Sequence, residues 1–368
     1  MNGSTAGAST SLAAGARPLV VRCGALGDQV ILLPLIHALH RRFGGPVDLL
    51  ASGEWSMPLA EQNEALGTLY YLKSRRTPYL LNAPQQWLVR ALRARPPGPV
   101  WLCDVDPFAA AIVRRAGIRE DWVLRAARDC PARPGEHNVE RWLRFAQQSP
   151  PALPPLAPDE AAAIVRGLRC PPLRVLPAWR AEVDAWLQEL GVAGRPILLV
   201  QVGNKRTMHP LASHRRSSNT KYWPPERWAA VIHHVLKRHP GAVALLLGVP
   251  RESRMNEEIQ RVARSDSVIN VARQMSVPRL LALQERALGM ISVDTGPGHT
   301  AAALDCPLVV LFGRANPVAY RPRGPSDAVQ VLTGQDATGP NILCITVRDV
   351  EEAWARLPLR TGAPAGAR

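Results

Sequence analysis

One local pattern opens this chain twice. Residues 18–22 (Pro-Leu-Val-Val-Arg) form an apolar run that leads through a glycine-containing turn into a helix-like stretch with a wide apolar face. Residues 197–202 repeat the opening and lead through Gly203 toward a second helical stretch at 224–239. Strands and helices alternating in this way bury their apolar faces as a parallel sheet covered by helices. Runs at 47–51 and 100–103 continue the first series, and a proline-rich stretch with short helices follows. Strands at 242–247, 290–293 and 308–312 continue the second, separated by helices at 251–264, 277–286 and 298–304. The expected fold class is therefore α/β with two Rossmann-like domains, which suits 368 residues. Prolines crowd residues 149–158 and 171–177, marking extended surface chain. The expected division is a disordered leader over 1–17, a first domain over 18–177, a connector over 178–195 and a second domain over 196–343. A closing helix and tail occupy 344–368.

Composition removes several classes. A hydrophobic content of 46% is that of a globular chain, and no apolar stretch is long enough to span a bilayer. The net charge of +15 divides as +8 over residues 1–180 and +7 over 181–368, without the concentrated stripe that nucleic-acid binding favours. Nucleic acid is not an expected partner; an anionic substrate or membrane surface is. Cys23, Cys103, Cys130, Cys170, Cys306 and Cys344 are scattered without a CxxC pair, which excludes a zinc ribbon and a disulfide framework. The leader lacks the apolar core of a signal peptide, so the expected compartment is the cytoplasm.

Three turns place reactive side chains beyond the carboxyl ends of strands, where open α/β sheets bind ligands. In Cys23-Gly-Ala-Leu-Gly-Asp28, Gly24 and Gly27 permit a tight turn and close backbone approach. The spacing is not GxGxxG, so a nicotinamide cofactor is not indicated. Asp28 reads either as a helix-terminal carboxylate complementing the dipole or as a general base over a cleft.

The second turn joins Asn204 and Lys205, after the 197–202 strand, to Thr220-Lys-Tyr-Trp-Pro224 before the next helix. Lys221 reads as a solvated loop residue or as a diphosphate ligand beside a helix N-terminus. Only four of 45 basic residues are lysine, which favours the second reading. The basic loop 206–219 between these pieces could close over a ligand. The third turn is Ser292-Val-Asp-Thr-Gly-Pro-Gly-His299. There Thr295 is expected to cap a helix, and the amides around Gly296 form an anion site. Asp294 would order the turn or contact a sugar hydroxyl, and His299 is either a packed core residue or a ligand.

Taken together, these segments resemble glycosyltransferase family 9, the ADP-heptose:lipopolysaccharide heptosyltransferases. Gly24-Ala-Leu-Gly-Asp28 with Leu33-Pro34 is similar to that family's opening loop, and Lys221-Tyr-Trp-Pro224 with Trp228 to its K-x-W-P segment. Ser292–Pro297, His299, Ala301–Ala303, Phe312-Gly313 and Pro317 are similar to its nucleotide segment, and residues 344–350 to its closing helix entry. The resemblance implies a GT-B fold, with the acceptor on the first domain, the nucleotide-sugar on the second, and a closing helix returning to the first. It also implies inverting transfer without a metal or other cofactor. Asp28 would be the base, with Gly24 and Gly27 in the acceptor loop. Asn204, Lys205, Lys221, Asp294, Thr295, Gly296 and His299 would bind the donor. The implied partners are ADP-heptose and a lipopolysaccharide-type glycolipid, with peripheral contact at the inner membrane, and Arg75, Arg76, Arg114 and Arg115 are candidate acceptor contacts. Arg273 stands where members commonly carry glycine, and Ala315 where they carry Thr or Ser. Another nucleotide-sugar, a small-molecule or protein acceptor, or a non-catalytic nucleotide-sugar-binding protein are the alternative readings.

Overall fold

A computed structural model describes residues 17–73, 78–203, 220–326 and 328–360. Asn204, Lys205, the 206–219 loop, Arg75, Arg76, most of the leader and residues 361–368 lie outside them. Strands form where short runs rich in Val, Leu and Ile are bounded by turn residues. The first sheet contains β1 (Leu19–Arg22), β2 (Val47–Ala51), β3 (Leu66–Tyr71), β4 (Val100–Leu102) and β5 (Val123–Arg125), in the order β3-β2-β1-β4-β5. The second contains β6 (Ile197–Gln201), β7 (Val243–Leu246), β8 (Val268–Asn270), β9 (Gly289–Val293), β10 (Leu308–Phe312) and β11 (Val329–Thr333), ordered β11-β10-β9-β6-β7-β8. All pairings within both sheets are parallel; in register, Val20 lies opposite Leu49 and Trp101, and Val200 opposite Leu246 and Ile291.

The order reverses beside β1 in the first sheet and beside β6 in the second, and such a reversal opens a crevice at the carboxyl ends of the strands. The turn ending at Asp28 follows β1, and the Asp294 turn follows β9, the neighbour of β6. Strands β3, β5, β8 and β11 escape sequence reading. Three of them are edge strands with partly exposed residues, and the fourth, β5, is a three-residue edge strand. Their apolar signal is correspondingly thin.

Apolar residues cover both faces of each sheet. Helix Pro177–Glu189, expected as a connector, buries Trp179, Val183 and Trp186 in one cluster with Ile197, Leu199 and Leu281, and so belongs to the packing of the second sheet. The closing helix Val347–Ala355 corrects a second expectation, because it does not return to the first half. Its Val350, Ala353 and Trp354 are buried with Ile232 and Val235 of helix Pro225–Arg238, and Trp354 lies against Gly289 of β9. Arg360 then donates to the carbonyls of Gln284 (2.8 Å) and Leu304 (2.9 Å), holding the last described residues on the second half. A tryptophan fully buried against its own sheet leaves no free apolar face to carry the helix across. Among the described residues, no helix is long and apolar enough to cross a membrane.

Among the described residues, the halves meet in several places. The opening helix Leu26–Phe43 packs on helix Gly296–Ala303, with Val30, Leu59 and Ala303 forming a small shared cluster. Further out, His137 Nε2 lies 2.9 Å from the Arg321 carbonyl, Asn138 donates to the Ala319 carbonyl at 3.0 Å, and Arg323 pairs with Glu140 at 2.8 Å.

Candidate active site

Gly24 lets the first turn fold back on itself. A Cβ there would lie 2.5 Å from the Asp28 Cβ and 2.8 Å from Asp28 Oδ2, so any side chain would displace the carboxylate. Asp28 is held by two donors: Arg22 reaches Oδ1 at 2.7 Å, and the Ala25 amide reaches Oδ2 at 3.0 Å. The second bond ties Asp28 to the start of its helix, so the structural half of the sequence reading is realised. Arg22 also donates to the Cys103 carbonyl at 3.0 Å. Burial works against its cation, but the charge and hydrogen bond of Asp28 outweigh that and raise its pKa. Sequence reading missed Arg22; its signal was a charged residue closing an otherwise apolar strand.

The second turn is anchored by aromatic packing. Trp223 and Trp228 are both buried with ring centroids 5.0 Å apart, and Trp223 Nε1 donates to the Ile345 carbonyl at 3.0 Å. Gly313, just past β10, supplies the room: a Cβ there would sit 1.8 Å from the Thr220 carbonyl oxygen. The chain therefore crosses the end of β10 with backbone against backbone, which delivers Lys221 to the end of β9. Lys221 Nζ lies 2.7 Å from Asp294 Oδ2 and also donates to the Asp294 carbonyl. Asp294 is buried, and its pairing with Lys221 answers how a carboxylate is accommodated in an anion-binding turn.

Thr295 does not cap its helix. Its hydroxyl turns back to the Val293 carbonyl at 3.2 Å and lies 3.3 Å from Ser292 Oγ. Among the described residues, no side chain caps the first turn of helix Gly296–Ala303, so none of them covers its N-terminal amides with a side-chain oxygen. This correction strengthens the turn's suitability for an anion, because a capping hydroxyl would compete for those amides.

The turns from the two halves meet. A Cβ on Gly296 would lie 2.8 Å from the Leu26 Cβ and 3.1 Å from the Gly27 amide nitrogen, and one on Gly27 would lie 2.7 Å from His299 Cδ2. His299 is buried at this seam, and desolvation lowers its pKa; Asp294 and Asp28 pull it up, and Lys221 pushes it down. One imidazole thus feels Asp28 from the first half and Asp294 with Lys221 from the second.

Sequence reading also passed over Glu252, a buried carboxylate at the carboxyl ends of β6 and β7. It accepts from the Val249 amide at 3.0 Å and lies 3.5 Å from Gln201 Nε2, with Gly203 and Gly248 leaving it space. It was hidden among the many exposed charges of a helical stretch.

Two parallel sheets with their carboxyl-end turns facing across one seam define the GT-B class, and solved structures share the arrangement. An Escherichia coli ADP-heptose lipopolysaccharide heptosyltransferase II superposes with a TM-score of 0.71 at 18% identity, covering 92% of this chain and 97% of that one. A glycosyltransferase family 9 protein from Veillonella parvula gives 0.70 at 16% identity, over 92% and 95%. The family model for glycosyltransferase family 9 (heptosyltransferase) matches residues 107–342, and the chain belongs to that family. Among curated relatives, lipopolysaccharide heptosyltransferase 1 of Escherichia coli K12 is 31% identical over 104 residues, 28% of this chain and 31% of that protein. The same-named protein of Pseudomonas aeruginosa is 34% identical over 98 residues, 27% and 26% of the two chains. The chain thus matches under a third of the length of these relatives. The curated relatives that the chain matches are named for lipopolysaccharide heptosyl transfer.

Proposed function

We propose that this glycosyltransferase moves a heptose from ADP-heptose to a lipopolysaccharide core or a related bacterial glycan. The observation that carries this reading is the seam itself, where the Asp28 turn of one half and the Lys221–Asp294–Gly296 cluster of the other converge on His299. The relatives named for lipopolysaccharide heptosyl transfer, and an Escherichia coli heptosyltransferase solved with ADP, support the donor and acceptor class.

In this reading the diphosphate lies against Lys221 and the uncapped amides at Gly296. These fixed donors stabilise the negative charge that develops on the leaving ADP as the glycosidic bond breaks. Asp28 accepts the proton of the attacking acceptor hydroxyl as the new bond forms. Its two hydrogen bonds hold the carboxylate at the head of its helix and pre-orient it. A single displacement assisted by one base inverts the anomeric centre. The anomeric coupling of the product, read by NMR, tests that course directly, and retention would remove the base role from Asp28. Asn204 and Lys205 remain proposed donor contacts, and Gly24 and Gly27 give the acceptor loop its shape.

The deciding experiment is transfer from ADP-heptose, run beside UDP- and GDP-sugars, together with thermal shifts by the matching diphosphates. Selective stabilisation by ADP and turnover with ADP-heptose are expected. Preference for a uridine or guanosine donor would retain the glycosyltransferase and overturn the heptose assignment.

A further inference from the structure

The carboxyl edge of the second sheet continues past the Asp294 turn. The strands run β9-β6-β7-β8, all parallel, so the turns after β6, β7 and β8 lie on the same edge as that turn. Three strand spacings of about 4.8 Å put β8 roughly 14 Å from β9. A chain of direct contacts fills that span. Ser292 of β9 pairs in register with Gln201 of β6, and its hydroxyl lies 3.3 Å from Thr295 Oγ1. Gln201 Nε2 donates to the Gly203 carbonyl at 3.0 Å and lies 3.5 Å from Glu252 Oε2. A Cβ on Gly248, just after β7, would lie 2.8 Å from Glu252 Oε2 and 3.3 Å from the Ala272 Cβ. The next residue is Arg273, a long cation at a position where family members commonly carry glycine.

The turn that carries Arg273 is fixed by hydrogen bonds. The Ala272 amide donates to Asn270 Oδ1 at 3.2 Å, and Asn270 Nδ2 donates to the carbonyl and hydroxyl of Ser253 at 3.1 and 3.0 Å. The guanidinium is restrained as well: Arg273 Nε donates to Ser253 Oγ at 3.2 Å, and Nη2 lies 3.9 Å from Glu257 Oε1. Ser253 is buried, while the Arg273 side chain stays 68% exposed. A guanidinium tethered in this way keeps a flat face that can stack on an aromatic ring, and it carries five N–H donors. Its surroundings disfavour an anion as the ligand. Glu257 lies beside it and Glu252 precedes its tether Ser253, so a phosphate there would meet two carboxylates, whereas a neutral ring would not.

We propose that Arg273 is a specificity-determining residue that recognises the nucleobase of the donor and favours a purine. A nucleotide whose diphosphate lies at Lys221 and Gly296 can extend its nucleoside along the strand ends toward β8, over positions that Gly203 and Gly248 leave bare of side chains. There the guanidinium stacks on the base. A purine offers the larger face and also the N7 acceptor, which pyrimidines lack. This inference rests on the diphosphate placement of the proposed function. It requires neither a particular sugar nor a particular acceptor.

Calorimetry of the full chain with ADP, GDP, UDP and CDP tests this without any sugar transfer. The wild type should bind the purine nucleotides about fivefold or more tightly than the pyrimidine ones. Arg273→Ala should lose most of that preference while binding UDP much as before. Arg273→Lys should recover little of it, because an ammonium keeps the charge without the planar face. Arg273 is exposed, so both variants should keep the wild-type thermal midpoint, which separates lost recognition from lost folding. An equal loss across all four nucleotides would assign Arg273 to the phosphates, and an unchanged preference would remove it from the site; either result overturns the proposal. Full recovery by Arg273→Lys does so too, since charge alone would then suffice. Failure of all four nucleotides to bind would overturn the diphosphate placement and this inference with it. ADP binding without a purine preference would overturn this inference alone, and GDP ahead of ADP would leave it standing and remove the ADP-heptose assignment.

Discussion

Asp28 and Lys221 differ in what their neighbours leave behind when each is removed. Asp28→Asn keeps an oxygen for the Ala25 amide but loses the charge facing Arg22. Under the proposed mechanism, turnover should fall by roughly 10²–10⁴-fold, while ADP affinity measured by calorimetry stays near wild type. Near-normal turnover would show that the base is elsewhere. Lys221→Ala should weaken ADP binding by about tenfold or more, because a charge-assisted contact disappears and the buried Asp294 carboxylate is left without its cation. That second contribution has its own test: adding Asp294→Ala to Lys221→Ala should restore part of the loss, whereas two independent contacts would weaken binding further. At this scale the sequence was informative about residue types and silent about partners. The scarcity of lysine in an arginine-rich chain drew notice to Lys221; the charge of Arg22 at the end of an apolar strand was visible, but not its partner, a carboxylate that the glycine turn folds back toward it.

Glycines control how closely the elements approach. Gly296→Ala would push a methyl group to 2.8 Å from the Leu26 Cβ and 3.1 Å from the Gly27 nitrogen, and backbone at that seam cannot yield without parting the halves. We expect a loss of about 1–3 kcal/mol in stability and a marked fall in kcat/KM. Gly298→Ala is the internal control, since its new Cβ would meet Ser292 Oγ at 3.7 Å and side-chain carbons of Leu308 and Pro322 at 3.9 Å, all ordinary contacts. Comparable melting temperatures and kinetics for the two variants would refute the importance of the Gly27–Gly296 approach. The strand–turn–helix openings at both halves were legible because turn glycines and apolar periodicity are local signals. Edge strands β3 and β8 were not, since partial exposure blurs alternation. The cap expected from Thr295 failed for a related reason: its hydroxyl had a competing acceptor in the Val293 carbonyl, a choice that depends on the bend of the chain after β9.

The outer contact between the halves should make the whole molecule sensitive to acid. His137 is buried between them, and its pKa is pushed down to about 4: desolvation dominates and Arg323 adds to it, against the opposing Arg321 carbonyl. The unfolded chain takes up this proton near pH 6.5, so between roughly pH 6.5 and 4 it binds more protons than the folded chain. Stability should therefore fall as pH drops through that window, by on the order of 2–3 kcal/mol from this group. Scanning calorimetry should show His137→Gln gaining on the wild type as pH is lowered from 7 to 5. Parallel pH profiles would exclude the effect.

Sequence alone determined the local inventory: two α/β series, the turns that interrupt them, and the residues able to bind a diphosphate or take a proton. Periodicity and turn chemistry act over a few residues, so they survive in the linear chain. The tertiary structure decided the pairings. Lys221 meets Asp294 across 73 residues of sequence, and Gly27 meets His299 across two sheets. The closing helix stays on its own half because Trp354 packs there. Such contacts depend on which faces are still uncovered once each sheet has packed, and that is a property of the assembled molecule rather than of any segment within it.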